Sequence, residues 1–250
     1  MKALITGATS GIGLDIAKYL SLKNIDLILV GRNKKNLEII SKRLKTSTKT
    51  IVADLSNEQK VKELYTLIKK EKIDILVNNA GFGDYSYITD SRLDKDLDMI
   101  NTNIKAVHIL TKLVLKDMEK KDSGYILNVA SSAAFAPGPL MSTYYASKSY
   151  VYRFSEAIYY EEKVKKKNVH ISVLCPGPVD TNFNNIANVN FSMKAMDSKY
   201  VAKYAIDMMF KNKLIIIPGF KMKFFKFGSR FLPEKLILRI IYNNQTKKKY

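Results

Sequence analysis

The 250-residue sequence has few of the residues that usually bind metals or form disulfides. It contains one cysteine, Cys175, two histidines, His108 and His170, and no tryptophan. A single cysteine excludes an internal disulfide and fits a reducing compartment, so we predict a cytoplasmic protein. Zinc sites need three or four protein ligands, mostly Cys and His, so we predict no metal site.

Long apolar runs are also missing. No segment reaches the roughly 18 consecutive apolar residues of a membrane-spanning helix. A strand-like segment starts at Lys2, which leaves no room before it for a secretory signal. We therefore expect neither a membrane span nor a signal peptide.

Arginine is scarce although the formal net charge is +19 at pH 7. Clustered cations bind nucleic-acid backbones, but only 6 of the 42 basic residues are arginine, the better reader of phosphates and bases. Codon bias in an AT-rich genome would produce the same mixture of Lys, Ile, Asn and Tyr. We predict no nucleic-acid partner.

Short runs rich in Val, Ile and Leu alternate with longer helical patterns along residues 1–218. The strand candidates are Ala3–Thr6, Asp26–Val30, Thr50–Ala53, Ile73–Asn78, Gly124–Ser131, Val169–Cys175 and Leu214–Pro218. Helical patterns lie near residues 11–22, 33–45, 57–71, 91–120 and 143–166. Strands that are apolar throughout are typical of sheets covered on both faces. The alternation predicts an α/β fold, a single-domain, Rossmann-like, doubly wound parallel sheet with helices on both faces.

Residues 219–250 differ from this pattern and form a basic amphipathic C-terminal extension. Glu234 is the one acidic residue in this segment. Pro233 suits a first helical turn, after which Leu236, Ile237, Ile240 and Ile241 share one face. Such a tail packs on its own subunit or on a partner, or makes weak contact with an anionic membrane surface. The sequence leaves both alternatives open.

A glycine-rich turn joins the first strand to the first helix. Glycine lets the backbone turn tightly and approach a pyrophosphate, whose charge then lies at the positive helix N-terminus. The spacing Gly-x-x-x-Gly-x-Gly departs from the usual dinucleotide fingerprint, and any tight turn favours glycine. The position after the first strand nevertheless favours phosphate binding. The predicted contacts are Thr6, Gly7, Ser10, Gly11, Ile12 and Gly13.

The end of the second strand bears on the choice of cofactor. NAD enzymes commonly place an acid there for the adenosine ribose, but this chain has Arg32 and no acid before Glu38. An arginine can pair with a 2′-phosphate, so we predict that NADP(H) is preferred over NAD(H). The alternative is a solvated arginine at the start of a helix.

Two further segments are candidates for the adenosine half of a dinucleotide. Asp54, just past the third strand, accepts from an adenine amino group or instead caps the helix that starts near Asn57. Asn79, Ala80 and Gly81 follow the fourth strand at the sheet edge where such folds bind ligands.

Tyr144 and Lys148 are four residues apart and share one helix face. A tyrosine with a pKa near ~10 is a poor acid–base catalyst at neutral pH. A neighbouring ammonium group favours the phenolate and lowers that pKa. On its own this spacing is common and more often marks a solvated pair.

The order of the motifs is more specific than any one of them. The glycine turn, Asn78-Asn79-Ala80-Gly81, Ser131 thirteen residues before Tyr144, the Tyr-x-x-x-Lys pair and Pro176-Gly177 follow one another with plausible gaps. In these motifs the chain resembles the short-chain dehydrogenase/reductase family over roughly residues 2–181. The resemblance implies an NAD(P)-dependent oxidoreductase that moves a hydride between the nicotinamide and a carbonyl/alcohol pair.

The resemblance also assigns roles to residues. It implies a catalytic tetrad of Asn103, Ser131, Tyr144 and Lys148 in which Tyr144 is the general acid or base. Lys148 is expected to lower the pKa of Tyr144 and bind the nicotinamide ribose, Ser131 to hold the substrate oxygen and Asn103 to organise a relay water. The implied cofactor contacts are Tyr144, Lys148, Pro176, Gly177, Val179 and Thr181.

Two small departures from the family pattern are Ala106 and Ala134, where glycine is common. Both affect packing more than chemistry, and the tetrad is intact, so we expect an active enzyme. Ser132 is a weaker candidate than Ser131, and neither histidine matches a role. The alternative is a dinucleotide-binding regulator without turnover.

The segment between Asn182 and Met196 corresponds to a substrate lid in the family. Its apolar residues are Phe183, Ile186, Val189, Phe191, Met193 and Met196. They suggest a hydrophobic carbonyl or alcohol substrate, although they would equally pack on the core. A membrane-associated reductase of lipid-like substrates is a further alternative. The resemblance also implies a homodimer or homotetramer.

Overall fold

The computed structural model describes residues 1–187 and 195–246. Within these residues seven strands form one sheet in the order β3-β2-β1-β4-β5-β6-β7. The strands are β1 (Lys2–Thr6), β2 (Asp26–Gly31), β3 (Thr48–Val52), β4 (Ile75–Asn78), β5 (Gly124–Val129), β6 (Val169–Leu174) and β7 (Ile215–Ile216).

Helices cover both faces of this sheet. They are α1 (Gly11–Leu22), α2 (Lys34–Ser41), α3 (Glu58–Ile68), α4 (Leu93–Ile100), α5 (Val107–Lys121), α6 (Ser142–Val164), α7 (Phe183–Ala187), α8 (Ser198–Phe210), α9 (Phe220–Gly228) and α10 (Glu234–Thr246). A π-helical turn at Asn101–Ala106 joins α4 to α5, and a 3₁₀ turn occupies Ser132–Phe135.

Every strand pair is parallel, and the strand order reverses between β1 and β4. Alternate β1 residues enter different cores: Ile5 packs in the core of α1 and α8, and Leu4 in the core of α3 and α5. Burying each such side chain contributes about 1.5–3 kcal/mol, which explains why the strands are apolar on both faces. The predicted doubly wound α/β fold is confirmed.

Helix α8 was not among the predicted helices. Its N-cap, Asp197, accepts a hydrogen bond from the Tyr200 backbone N–H at 2.8 Å. Its apolar residues recur with helical spacing and are fully buried where α8 packs against α1. These residues are Val201, Ala202, Ala205, Ile206 and Met209. The signal was therefore in the sequence.

The C-terminal helices α9 and α10 fold back onto the rest of the chain. Ile237 and Ile241 are buried, as is Gln245. The Gln245 side chain donates to the Tyr145 hydroxyl at 2.8 Å, and its backbone carbonyl accepts from Tyr85 at 3.0 Å. One face of the basic tail therefore packs on its own subunit. The domain boundary at residue 218 stays a prediction. Among the described helices, none is long and apolar enough to cross a membrane.

Candidate active site

A cavity of about 710 Å³ opens at the carboxyl ends of the strands. Its walls come from the segments that follow β1, β2, β3, β4, β5 and β6, together with α6, α9 and α10. In a parallel sheet the crevice where the strand order reverses is where ligands bind. The volume lies within the range of small-molecule and cofactor sites.

The glycine turn after β1 forms the floor of one end of the cavity. Gly7 and Gly11 have φ values of +64° and +53°, which favour glycine. A Cβ atom on Gly13 would lie 2.3 Å from Asn79 Nδ2 and 2.4 Å from the Gly7 carbonyl oxygen. Asn79 Nδ2 donates to the carbonyls of Thr6 and Gly7 at 3.0 and 3.1 Å. Asn79 therefore holds the turn against the end of β4.

Thr6 and Gly13 support this turn from behind. Thr6 is 2% exposed, and its hydroxyl oxygen accepts from the backbone N–H groups of Asn79 and Ala80, both at 3.0 Å. Neither Thr6 nor Gly13 lines the cavity, whereas Gly7, Ser10, Gly11 and Ile12 do. Of the six predicted phosphate contacts, four therefore line the cavity, and Thr6 and Gly13 support the turn instead.

The N-terminus of α1 faces this cavity without a side-chain cap. Ser10 is its N-cap and makes no capping hydrogen bond. In contrast, α2, α3 and α8 are capped by Asn33, Asn57 and Asp197. The first N–H groups of a helix have no partner within the helix and attract anions. The open N-terminus of α1 fits a pyrophosphate.

Arg32 and Asp54 line the far end of the cavity. Arg32 is exposed and forms no ion pair or hydrogen bond with any described residue. Asp54 accepts from the backbone N–H and the hydroxyl of Ser56 at 3.0 and 2.9 Å. Asn57 caps α3 by accepting from the Lys60 N–H at 3.1 Å, so the helix-cap alternative for Asp54 is wrong.

Tyr144, Lys148 and Ser131 meet at the other end. Ser131 lies close enough to Tyr144 for its side chain to lower the pKa of the phenol. Lys148 Nζ lies 5.9 Å from the centroid of the Tyr144 ring and donates to the Val129 carbonyl at 2.9 Å. A Cβ atom on Gly81 would lie 2.9 Å from Asn103 Oδ1 and 3.2 Å from Lys148 Nζ, so Asn103 is adjacent. The four residues predicted as a tetrad therefore converge.

Asn103 lies within the π-helical turn and is fully buried behind the cavity wall. Its Oδ1 accepts from the Phe82 N–H at 3.1 Å, and its Nδ2 donates to the Phe82 carbonyl at 2.9 Å and to Ser147 Oγ at 3.0 Å. Ser147 Oγ in turn donates to the Tyr144 carbonyl at 2.7 Å. The side chain thus ties the loop after β4 to α6. π-helical turns often occur at functional sites, as this one does.

Burial dominates the protonation of Tyr144 and Lys148. It raises the pKa of Tyr144 to about 12, although the nearby Ser131 side chain acts in the opposite direction. Burial also lowers the pKa of Lys148 to about 8, because a charged ammonium group is poorly solvated there. The net pKa of Tyr144 is thus raised, whereas the sequence predicts that it is lowered.

The β6 end completes the cavity beside the glycine turn. Pro176, Gly177, Val179 and Thr181 all line it. A Cβ atom on Gly11 would lie 2.9 Å from Thr181 Cγ2, so the two segments are in contact. These residues are placed where a cofactor held by the glycine turn would reach them.

The wall around Tyr144 is mostly apolar. The Phe183 ring lies 5.3 Å from the Tyr144 ring between centroids. Cavity-lining residues that the sequence patterns do not predict include Phe82, Met141, Tyr145, Met222, Phe225, Asn244 and Gln245. Of the predicted lid residues, Phe183 and Ile186 line the cavity, and Met196 pairs with Val179. Val189, Phe191 and Met193 lie outside the described residues.

A family model described as short chain dehydrogenase matches residues 1–190. This chain belongs to the short-chain dehydrogenase family. Among curated relatives of this short-chain dehydrogenase, an uncharacterised oxidoreductase of Staphylococcus saprophyticus is 32% identical over 210 residues, which cover 82% of this chain and 88% of the relative.

Hydroxysteroid dehydrogenase-like protein 1 of Gallus gallus is 38% identical over 197 residues, or 75% of this chain. The match covers 58% of that relative's length. A human relative, 33% identical over 193 residues, is named inactive hydroxysteroid dehydrogenase-like protein 1; the match covers 74% of this chain and 58% of that protein. At least one relative is therefore named as inactive.

Solved structures share the whole fold of this short-chain dehydrogenase. A short-chain dehydrogenase from Sphingobium yanoikuyae in complex with NADPH superposes with a TM-score of 0.84 at 25% identity, covering 92% of this chain and 93% of that chain. One from Burkholderia phymatum in complex with NAD has a TM-score of 0.79 at 22% identity, covering 86% and 88%. The family's cofactors therefore include both dinucleotides.

Clusters of metal-binding side chains are the next feature of the residues that the structure describes. No group of three or more His, Cys, Asp or Glu side chains there is arranged to hold an ion. Cys175 is buried, and burial raises the pKa of its thiol.

Proposed function

We propose that this oxidoreductase interconverts a carbonyl and an alcohol with NAD(P)(H), and that Tyr144 is its general acid and base. The observation that carries the proposal is the position of Tyr144 in the cavity, close to Ser131 and beside Lys148. When bound, the nicotinamide would supply or accept the hydride. Positioned acid–base groups of this kind contribute about 10²–10⁴-fold to rate.

The chain's own groups divide the remaining work. In reduction, the Tyr144 hydroxyl gives its proton to the carbonyl oxygen as that oxygen gains negative charge. Ser131 donates a hydrogen bond to the same oxygen, which stabilises the developing charge. Lys148 stabilises the phenolate that is left, and Asn103 fixes the backbone between the loop after β4 and α6. In oxidation, Tyr144 accepts the proton instead. We also propose that Asn103 organises a water that relays the proton.

NADP(H) is the proposed preferred cofactor. Arg32 has no described partner at the far end of the cavity, so its planar fork is available to a 2′-phosphate. Asp54 lies beside it as an acceptor for the adenine amino group. The pyrophosphate would contact Gly7, Ser10, Gly11 and Ile12 at the open N-terminus of α1, with Thr6 and Gly13 in support.

The remaining proposed contacts lie nearer the nicotinamide. Asn79, Ala80 and Gly81 line the cavity and would contact the adenosine half of the dinucleotide. Lys148 would bind the nicotinamide ribose, and Thr181 the carboxamide or a phosphate. Pro176, Gly177 and Val179 complete this wall.

The proposed substrate is a bulky, mostly apolar carbonyl or alcohol. Aromatic and aliphatic side chains surround Tyr144 in the cavity, which favours an apolar substrate. The name of the chicken relative refers to hydroxysteroids, which have this chemistry. We further propose a homodimer or homotetramer working in the cytoplasm, supported by exposed Leu93 and Leu97 on α4 and by the single buried cysteine.

Turnover is tested by following absorbance of the reduced nicotinamide with a panel of aldehydes and apolar ketones, including steroid ketones. The proposal predicts consumption of NADPH with at least one bulky apolar ketone. The second candidate is a dinucleotide-binding regulator, which the inactive human relative favours. Tight NADPH binding with no turnover across the panel, in either direction, would support the regulator and contradict the enzyme.

A further inference from the structure

Helix α9 has two faces of different kinds. Met222 and Phe225 face inward and line the cavity, and Lys226 Nζ lies 5.5 Å from the centroid of the Tyr152 ring. A Cβ atom on Gly177 would lie 2.9 Å from Met222 Cγ, so this face is packed against the site. The inward face fixes the helix on the subunit.

The outward face presents four aromatic rings to solvent. Phe220, Phe224, Phe227 and Phe231 are 81%, 68%, 64% and 72% exposed. The first three recur at helical spacing along α9, and the fourth follows its C-terminus, with its ring 5.0 Å from that of Phe227 between centroids. Contiguous exposed apolar patches mark interaction sites in soluble proteins. We call these four residues the Phe stripe.

Positive charge surrounds the Phe stripe. Lys221, Lys223 and Arg230 are exposed beside it, and Lys235 and Arg239 are exposed on α10. Glu234 is the one acid among residues 219–246. Apolar rings flanked by Lys and Arg on a short helix have the composition of a helix that lies in the plane of a membrane interface.

We propose that the Phe stripe docks on the surface of an anionic lipid bilayer. The rings enter the headgroup region, and the flanking cations contact acidic lipid headgroups. A second copy of this chain would bring the same cations together with only Glu234 to offset them. Charge complementarity therefore favours an anionic surface over self-association.

Docking also bears on how an apolar ligand reaches the cavity. The Phe stripe and the cavity-lining Met222 and Phe225 lie on opposite faces of one helix about 10–12 Å across. A docked α9 therefore holds a wall of the cavity within a helix diameter of the lipid. An apolar molecule dissolved in the bilayer enters without crossing bulk water. This consequence rests on the proposed function, whereas the docking itself does not.

The test is co-sedimentation of the full chain with vesicles of phosphatidylcholine alone or with phosphatidylserine added. The proposal predicts binding to the anionic vesicles, weaker binding to neutral ones and release by high salt, because surface charges are screened. Lys221→Gln with Lys223→Gln is expected to lower binding about ten-fold or more, since each cation near an anionic surface contributes roughly five-fold. Phe224→Ser with Phe227→Ser is expected to lower it at least as much.

Two matched double variants serve as controls. Ile39→Ser with Leu67→Ser removes apolar residues that are 49% and 58% exposed elsewhere, and Lys69→Gln with Lys70→Gln removes two exposed lysines on the C-terminal side of α3. Both should bind vesicles like the unaltered chain. Circular dichroism and NADPH binding confirm that every variant is folded.

Three results would overturn the proposal. The first is that anionic and neutral vesicles bind the unaltered chain equally, and that the Phe-stripe variant binds each of them as well as the unaltered chain does. The second is absence of vesicle binding at low salt. The third is a concentration-dependent dimer, measured without lipid, that the Phe224→Ser, Phe227→Ser variant loses, since the stripe would then be a self-association surface. None of these readouts uses turnover, so a failure here leaves the proposed chemistry standing.

Discussion

At the scale of residues, the Tyr144 phenol and the Lys148 ammonium share a pocket where burial favours the neutral form of each. Below about pH 8 the Lys148 side chain keeps its charge, and Tyr144, with a pKa of about 12, keeps its proton. Reduction needs both protonated forms, so the first loss on raising the pH is the charge on Lys148.

We therefore predict that kcat/KM for reduction is level at neutral pH and falls as the pH rises through about 8. Because this ratio reports groups in the free enzyme, the fall should follow the pKa of Lys148. Lys148→Arg, whose guanidinium keeps its charge, should move the fall to higher pH even if overall activity drops. If kcat/KM falls at the same pH in the unaltered enzyme and in Lys148→Arg, Lys148 is not the group that causes the fall.

Arg32 permits a second test at this scale. Arg32→Ala should weaken NADPH binding by about ten- to a hundred-fold, the range for losing charge-assisted hydrogen bonds, and leave NADH binding nearly unchanged. Arg43→Ala, another exposed arginine, is the matched control and should alter neither affinity. Fluorescence titration of both cofactors measures the effect. Equal losses for both cofactors, or tighter binding of NAD than NADP by the unaltered chain, would contradict the role of Arg32.

At the scale of elements, the turn between β1 and α1 depends on Gly13. Adding a Cβ there creates contacts of 2.3 and 2.4 Å with Asn79 and the Gly7 carbonyl, so the turn must move. Gly13→Ala should cost about 1–3 kcal/mol of stability and weaken NADPH binding. Gly228→Ala, at the end of α9, meets no atom within 4 Å and should be neutral or slightly stabilising. Thermal unfolding with and without NADPH checks both; equal effects of the two substitutions would contradict this account.

Much of this element-scale arrangement was predictable, for identifiable reasons. The strands are covered on both faces, so their apolar runs marked them, and the glycine turn and the Tyr144–Lys148 pair are short local patterns. Helix α8 also carries a local signal in its Asp197 cap and in the helical spacing of its buried residues. The roles of Met222 and Gln245 depend instead on α9 and α10 folding back over the site, which no local pattern encodes. The burial that raises the pKa of Tyr144 is likewise a tertiary effect.

At the scale of the whole molecule, ligand binding should raise the free energy of unfolding and therefore Tm. A ligand that binds only the folded chain adds about 2.7 kcal/mol at a hundred times its Kd. For a chain of this size that corresponds to a rise in Tm of about 5–10 °C. We predict that NADPH raises Tm more than NADH does at equal concentration, and that Arg32→Ala removes the difference. Differential scanning calorimetry measures both shifts, and a larger shift with NADH would contradict the preference.

Tyr144→Phe tests the central claim most directly, because it removes one hydroxyl group and keeps the ring that packs on Phe183. Tyr145→Phe is the matched control, since it removes the neighbouring hydroxyl, which accepts from Gln245. With a ketone found in the panel, the account predicts that kcat falls by about 10²–10⁴-fold in Tyr144→Phe and changes little in Tyr145→Phe, with NADPH affinity kept in both. Turnover by Tyr144→Phe within a few-fold of the unaltered enzyme would contradict it.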